Sequence, residues 1–163
     1  MRYRVGIITI SDKGSRGERE DRSGPLLRKL LEEEYDVSRM LIVPDETEEI
    51  AKAIIRLVEE GLDIVITTGG TGVTERDVTP EATRMVIDRE LPGFSEIMRI
   101  KSYEITPHGI ISRGVCGTRK ASLIINLPGS PKAASECLSF VLPAIPHTLE
   151  KLKGDETDCG EQA

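Results

Sequence analysis

Three β-branched runs without alternation constrain this chain more than any other feature. RVGIITI (4–10), LDIVITT (62–68) and SLIINL (122–127) lack the in–out pattern of a strand with one wet face. Strands of this kind are covered on both faces, which requires a mostly parallel sheet with helices on either side.

The stretches between the runs supply those helices. Ser23-Gly24-Pro25 opens one, with Ser23 as N-cap, and Leu26, Leu27, Leu30 and Leu31 form its apolar face. Residues 46–60 form the next, with Ile50, Ile54, Leu57 and Val58 on the buried stripe and Gly61 at its end. A third starts at Pro80 behind Thr79 as cap. Pro92-Gly93 interrupts it, and another begins near Phe94. The last spans about 131–151 and kinks near Pro143 and Pro146.

SRMLIV (38–43) reads as the second strand and IISRGVC (110–116) as the fourth. The GTRKA link from 110–116 to 122–127 is too short for a parallel crossover, so these two form an antiparallel hairpin. Ser112, Arg113 and Gly114 suit the fourth strand to an edge. The expected fold is an α/β protein, a three-layer α/β/α sandwich around a mostly parallel five-stranded sheet of order 2-1-3-5-4 with strand 4 antiparallel. The switch point falls between strands 1 and 3. The loops after strands 1, 2, 3 and 5 share the rim where open α/β sheets bind ligands. One domain is expected over residues 1–153, followed by a polar tail, 154–163, expected to be disordered.

Composition excludes several partners. The 28 acidic and 22 basic residues leave a net charge of -6, a poor basis for binding nucleic acid or an anionic membrane. Basic residues are not interleaved with aromatics, which are 3% of the chain, so nucleic-acid readout is not expected. No apolar run approaches the ~18 residues of a spanning helix, and Val5 to Ile10 is too short for a signal peptide. Cys116, Cys137 and Cys159 are odd in number and form no CxxC, which points to a reducing, cytoplasmic setting.

Four loops on the rim carry candidate chemistry. Thr67-Thr68-Gly69-Gly70-Thr71-Gly72 ends a buried strand with residues that let backbone N–H groups and hydroxyls wrap an anion. It has neither the Walker GK[ST] nor GxGxxG spacing. Its competing role is a tight turn that only permits close packing. Asp77, in Glu75-Arg76-Asp77-Val78-Thr79-Pro80, could instead make an Asx turn. Asp45, in Val43-Pro44-Asp45-Glu46, could instead open a helix as Asp45-x-x-Glu48. Together on one rim, the two carboxylates suit Mg²⁺, which takes one or two protein carboxylates beside phosphate oxygens. Asn126-Leu127-Pro128-Gly129-Ser130-Pro131-Lys132 pairs a Ser cap and a helix N-terminus with a lysine counter-charge. Ser11 and Asp12 stand in the first loop. His108 and His147 are isolated and read as neither metal ligand nor general base.

Longer segments go further. ITISDK (8–13), DRSGPLL (21–27), VPDE (43–46), TTGGTGVTERDVTPEAT (67–83), PGFSEIMR (92–99), SRGVCGTR (112–119) and LIINLPGSPKA (123–133) resemble the molybdopterin adenylyltransferase family. The MogA proteins and the gephyrin G domain belong to that family, and the likeness covers about residues 4–153. It implies the MoaB/Mog-like fold, a homotrimer, and transfer of AMP from Mg-ATP to the terminal phosphate of molybdopterin, with release of pyrophosphate. It implies Asp45 and Asp77 as the functional aspartates, assigned to Mg²⁺ and phosphate alignment. Gly69, Gly70, Thr71, Gly72, Pro128, Gly129, Ser130 and Lys132 would border the adenylate, and Ser11 and Asp12 would lie near the pterin. A downstream metal-insertion protein is the implied partner. The alternative is a non-catalytic molybdopterin-binding or scaffold protein of the MoaB type; retention of both aspartates favours the enzyme.

Overall fold

The computed structural model describes residues 1–161 and holds one sheet. Its left half is parallel: β1 (Arg4–Ile10) runs between β2 (Asp36–Val43) and β3 (Ile64–Thr68), and β3 pairs in parallel with β6 (Ser122–Leu127). The right half is antiparallel: β6 pairs with β5 (Cys116–Arg119), and β5 pairs with the two-residue β4 (Arg89–Glu90). The order is β2-β1-β3-β6-β5-β4.

Helices cover both faces. One core gathers Val5, Ile7, Ile64, Ile66, Leu123 and Ile125 beneath α2 (Ser23–Leu31), α5 (Pro92–Ile105), α6 (Pro131–Val141) and α7 (Ile145–Leu152). The other gathers Ile8, Ile10, Val65 and Ile124 beneath α3 (Thr47–Glu59) and α4 (Thr79–Val86). Odd and even positions of β1 thus serve opposite cores, as the period of a strand requires. Every residue of β3 and β6 is buried. Each fully buried Ile or Leu contributes about 1.5–3 kcal/mol, so their apolar residues on both faces place these strands at the centre.

Buried Asn126 locks the right half to the left. Its Nδ2 donates to Thr67 Oγ1 (2.9 Å) and Thr83 Oγ1 (3.0 Å), and its Oδ1 accepts the Val115 N–H (3.0 Å). Side-chain bonds therefore tie β6 to β3, to α4 and to the segment entering β5.

Several readings of the sequence need correction. The sheet has six strands rather than five, because Asp88 N–H and Leu91 N–H reach the carbonyls of Thr118 and Cys116 and lay β4 along β5. The two exposed charged residues of β4 blunt the edge. The expected strand over 110–116 lies instead at 116–119: Pro107 starts a 3-10 turn through Ile111, and the Arg113 N–H is taken by Thr71 O. Ser23 does not cap α2; its hydroxyl donates to Gly129 O at 2.7 Å, while Asp21 accepts the Gly24 N–H at 3.0 Å. Asp45 does not start α3 as a capping box, since no side chain caps that helix.

The final helix breaks where Pro143 enters a 3-10 turn, Leu142–Ala144. In the segment expected to be disordered, the Asp155 carboxylate accepts from the N–H and hydroxyl of Thr157. A 3-10 turn follows at Cys159–Glu161. Residues 162–163 of that segment lie outside the described residues.

Candidate functional site

The ends of β1, β2, β3 and β6 deliver four loops to one rim. The first begins with α1 (Asp12–Ser15), a single turn whose N-cap Ser11 accepts the Gly14 N–H at 3.0 Å. It is sewn to the second loop by a reciprocal pair. Asp12 N–H donates to Asp45 Oδ2 at 2.9 Å, and Asp45 N–H donates to Asp12 Oδ1 at 3.0 Å. Two carboxylates are thereby held side by side. Arg76, from the third loop, closes the arrangement. Its Nε and Nη2 donate to the two oxygens of Asp12 at 3.0 and 2.9 Å, and Nη2 also donates to Glu46 at 2.8 Å.

The third loop is built on left-handed glycines. Gly69 has φ 105°, and a Cβ there would stand 2.4 Å from Ile10 O. Gly70 has φ 67°, and a Cβ there would stand 2.3 Å from Thr79 Oγ1 and 3.2 Å from Asp45 Oδ1. Both positions demand glycine, and the second brings bare backbone against the Asp45 carboxylate. Buried Thr79 donates to Gly69 O at 2.9 Å, so it fastens the loop instead of capping α4. Asp77 Oδ2 accepts the N–H and hydroxyl of Thr74 at 3.0 and 2.8 Å. Its turn role is therefore real, and its Oδ1 is left for other use.

The fourth loop packs Gly129 on Gly69: a Cβ on Gly129 would stand 3.2 Å from Gly69 Cα. Thr68 Oγ1 donates to Pro128 O at 2.7 Å, and Ser130 caps α6 by accepting the Ala133 N–H at 3.3 Å. Every site residue expected from the sequence lines one or both of two cavities, apart from Lys132. On the first turn of α6, Lys132 points to solvent beside Glu136, 4.0 Å away.

The larger cavity, about 1060 Å³, is walled by Ser11, Asp12, Asp45, Gly69 and Ser130 and by Lys13, Arg19, Arg22 and Arg76. The smaller, about 420 Å³, is walled by Thr71, Gly72, Pro128, Met98, Arg99 and Cys137, among others. Apart from the Cys116 thiol beside it, the buried Ser95 hydroxyl in that wall has no hydrogen-bond partner among the described residues. His108 also lines it. Gly70, Asp77 and Gly129 border both cavities.

Sequence reasoning misses the basic wall. Lys13, Arg19 and Arg22 belong to the first loop, and Arg76, more than fifty residues on, joins them only on the rim. Arg76 does carry a signal, as the one basic residue of the loop 69–78.

Charge is distributed unevenly. The Arg76 guanidinium holds the Asp12 carboxyl below its ordinary range. Burial pushes the Asp45 carboxyl up, and the charges of Asp12 and Asp77 push it the same way. A carboxylate so placed favours a cation, and Asp45 Oδ1 and Asp77 Oδ1 are the oxygens without a hydrogen bond among the described residues. Among those residues no group of three or more His, Cys, Asp or Glu is arranged to hold a metal ion. A divalent ion here would take its remaining ligands from phosphate and water, as Mg²⁺ does.

The raised pKa of Asp45 has a stability consequence. The folded chain holds this proton to higher pH than the unfolded chain. The associated stability is complete below about pH 3.8 and is lost as pH rises through the folded pKa. Asp45→Asn keeps an oxygen to accept the Asp12 N–H and cannot ionise. It is expected to melt above the wild type at pH 7, with the gap closing as pH falls towards about 4. Melting curves across that pH range check this; a variant less stable at pH 7 would show that the carboxylate is not held at a cost.

The comparisons agree with this architecture. A family model described as a probable molybdopterin binding domain matches residues 6–147. A molybdopterin adenylyltransferase of Helicobacter pylori strain J99 is 43% identical over 163 residues, spanning 97% of this chain and 92% of the relative. That of Escherichia coli K12 is 40% identical, spanning 93% and 86%. The crystal structure of the molybdopterin biosynthesis enzyme MoaB from Thermus thermophilus superposes with a TM-score of 0.89 at 48% identity, covering 94% of this chain and 98% of that one.

Proposed function

The chain belongs to the molybdopterin-binding domain family of molybdenum-cofactor biosynthesis, and on that footing we infer that its rim carries out the adenylylation of molybdopterin. The enzyme is a molybdopterin adenylyltransferase in class, as its full-length relatives are. ATP donates the AMP, and residues 1–153 act as one domain.

One observation carries the site assignment: two cavities of different character share a wall made by Gly70, Asp77 and Gly129. Each cavity takes one substrate's ring system, and the two phosphate groups meet at the shared wall. An oxygen of the molybdopterin phosphate attacks the α-phosphorus of ATP. A new P–O–P bond forms, the bond to the bridging oxygen breaks, and pyrophosphate leaves with the electron pair. No protein nucleophile is needed, because the attacking phosphate is already anionic. The protein's work is alignment and charge neutralisation.

Thr71, Gly72 and Pro128 border the adenylate in the smaller cavity, Gly70 and Gly129 meet its phosphate at the shared wall, and Gly69 and Ser130 approach that phosphate from the side of the larger cavity. Ser11 and Asp12 face the second substrate across the larger cavity. Asp45 and Asp77 would hold Mg²⁺, and when bound that ion screens the charge that develops on the phosphates. Lys13, Arg19 and Arg22 neutralise the rest. Lys132 has no part in this reading. The reaction is placed in the cytoplasm, where the three free thiols of Cys116, Cys137 and Cys159 stay reduced. The product passes to a metal-insertion protein.

The test is direct. Purified protein, ATP, Mg²⁺ and molybdopterin should yield AMP-pterin and pyrophosphate in equal amounts. Pyrophosphate release without pterin, or pterin binding without transfer, contradicts the reading.

A trimer is part of it. Ile100, Tyr103, Ile105, Ile110 and Ile111 are more than half exposed along α5 and the 3-10 turn that follows. An apolar surface of this kind marks an interaction site. Light scattering should give a mass near three times 17.9 kDa, and Ile100→Asp should shift it to the monomer. A monomeric wild type at micromolar concentration would remove the trimer from the reading.

A further inference from the structure

One residue outside the rim loops is bonded along the segment that carries Asp77. Arg113 lies between the 3-10 turn Pro107–Ile111 and β5, and it meets the third loop at three successive points. Its N–H donates to Thr71 O at 2.8 Å, its Nε to Gly72 O at 2.7 Å, and its Nη2 to Asp77 O at 2.8 Å. The remaining face of the guanidinium is paired with Glu81 on the first turn of α4. Three carbonyls of one loop thus converge on one residue. Two of them, at opposite ends of the Gly72–Asp77 segment, are bridged by a single planar group. The rigid fork of Arg can do this, whereas Lys offers one flexible nitrogen.

The pair with Glu81 is partly exposed and by itself contributes little. The bonds to the loop carbonyls are what bear on the site. Without the two guanidinium bonds the Gly72–Asp77 arch is held to the body by Arg76, which reaches the opposite side of the rim, by the bonds at Gly69 and Gly70, and by the Arg113 backbone N–H at Thr71.

We propose that Arg113 is a positioning residue for adenylyl transfer, whose guanidinium spans Gly72 O and Asp77 O and so fixes the Asp77 carboxylate at the wall between the two cavities. This rests on the role given above to Asp77. Arg113 touches no reacting atom in this scheme and acts through the loop alone. A displacement of about 1 Å in a reacting group can cost a hundredfold in rate, so loosening the arch slows turnover while binding of either substrate is retained.

The test is a double-mutant cycle on the full-length enzyme with Arg113→Ala, Arg113→Lys, Asp77→Asn and Arg113→Ala/Asp77→Asn. The measurements are single-turnover transfer, KM for both substrates and thermal unfolding. Arg113→Ala should lower kcat by at least about tenfold with KM changed less than about threefold. Arg113→Lys should fall nearly as far, because it keeps the charge and loses the bridge. In the Asp77→Asn background, Arg113→Ala should lower kcat by less than about threefold further, since its only route of action is gone. Should Arg113→Ala fail to fold, Arg113→Lys with and without Asp77→Asn completes the cycle. A lower Tm with unchanged kcat would reduce Arg113 to a structural ion pair and overturn the proposal. So would losses that multiply in the double variant. Full activity in Asp77→Asn alone would remove the Asp77 reading itself, an outcome distinct from a silent Arg113 beside an essential Asp77.

Discussion

Asp77→Asn should fold, bind both substrates, and transfer AMP at least a hundredfold more slowly. Folding is preserved because the Thr74 N–H and hydroxyl both go to one oxygen, Oδ2, which an Asn oxygen can replace. Asp77 is also the residue whose backbone N–H and C=O are engaged on both sides, by Thr74 O and by Arg113. The loop therefore keeps its frame when only the charge is removed. Binding is preserved because most of both cavity walls is untouched. In the proposed scheme the rate falls because the lost charge borders both cavities, at the wall assigned to the phosphates. Electrostatic terms of this kind contribute ~3 kcal/mol in a transition state, which is two orders of magnitude in rate. Melting temperature, pterin and nucleotide binding, and single-turnover transfer separate these effects. A full transfer rate in the variant would remove Asp77 from the catalytic reading. The companion Asp45→Asn should lose activity while gaining stability, the pattern of a site held in place at a cost to the fold.

The centre of the fold was legible because one signal decides it. β1, β3 and β6 are largely apolar and show no in–out alternation, and burial on both faces leaves them no position except the middle of the sheet. The edge was less legible. The two-residue β4 has no apolar pattern at all, since its pairing is made by backbone alone and both side chains face water. The stretch 110–116 has strand-like composition, yet Ile110 and Ile111 are exposed in a 3-10 turn and the Arg113 N–H bonds a loop. The glycines and aspartates of the rim were legible because short loops after parallel strands must emerge together. What each hydroxyl does was not legible. Ser23 and Thr79 look like helix caps, but each is turned by tertiary packing onto a loop carbonyl, Gly129 O and Gly69 O. Asp45 offers a local capping role in sequence and does not take it; its partner is Asp12, 33 residues away. The basic wall of the larger cavity was legible only in part: Lys13, Arg19 and Arg22 share the first loop, but Arg76 joins them only when the first and third loops fold onto one rim.

Gly69→Ala should be the most damaging single methyl in the molecule. Two separate penalties fall on it. At φ 105° an L-residue is strained, at a cost of about 1–3 kcal/mol. The added Cβ would also sit 2.4 Å from Ile10 O. That oxygen belongs to β1, which is fixed between β2 and β3 and cannot move as a side chain would. Overpacking of this kind costs about 1–3 kcal/mol more. Relief would have to come from the third loop, which would lift away from the Leu127 carbonyl that accepts the Gly69 N–H and from the Thr79 hydroxyl that donates to Gly69 O. The same movement carries Gly70 from Asp45 and Gly69 from Gly129, so the wall between the cavities opens. The variant should lose about 3–5 kcal/mol and melt on the order of 10 °C lower, with transfer abolished in whatever remains folded. Gly17→Ala is the matched control. Gly17 is also left-handed, at φ 72°, but a Cβ there meets nothing within 4 Å. It should carry the backbone strain alone, about 1 kcal/mol, and keep its activity. The difference between the two melting temperatures isolates the contact with β1. If the two variants lose equal stability and both remain active, the close approach of Gly69 to Ile10 is not what seats the loop.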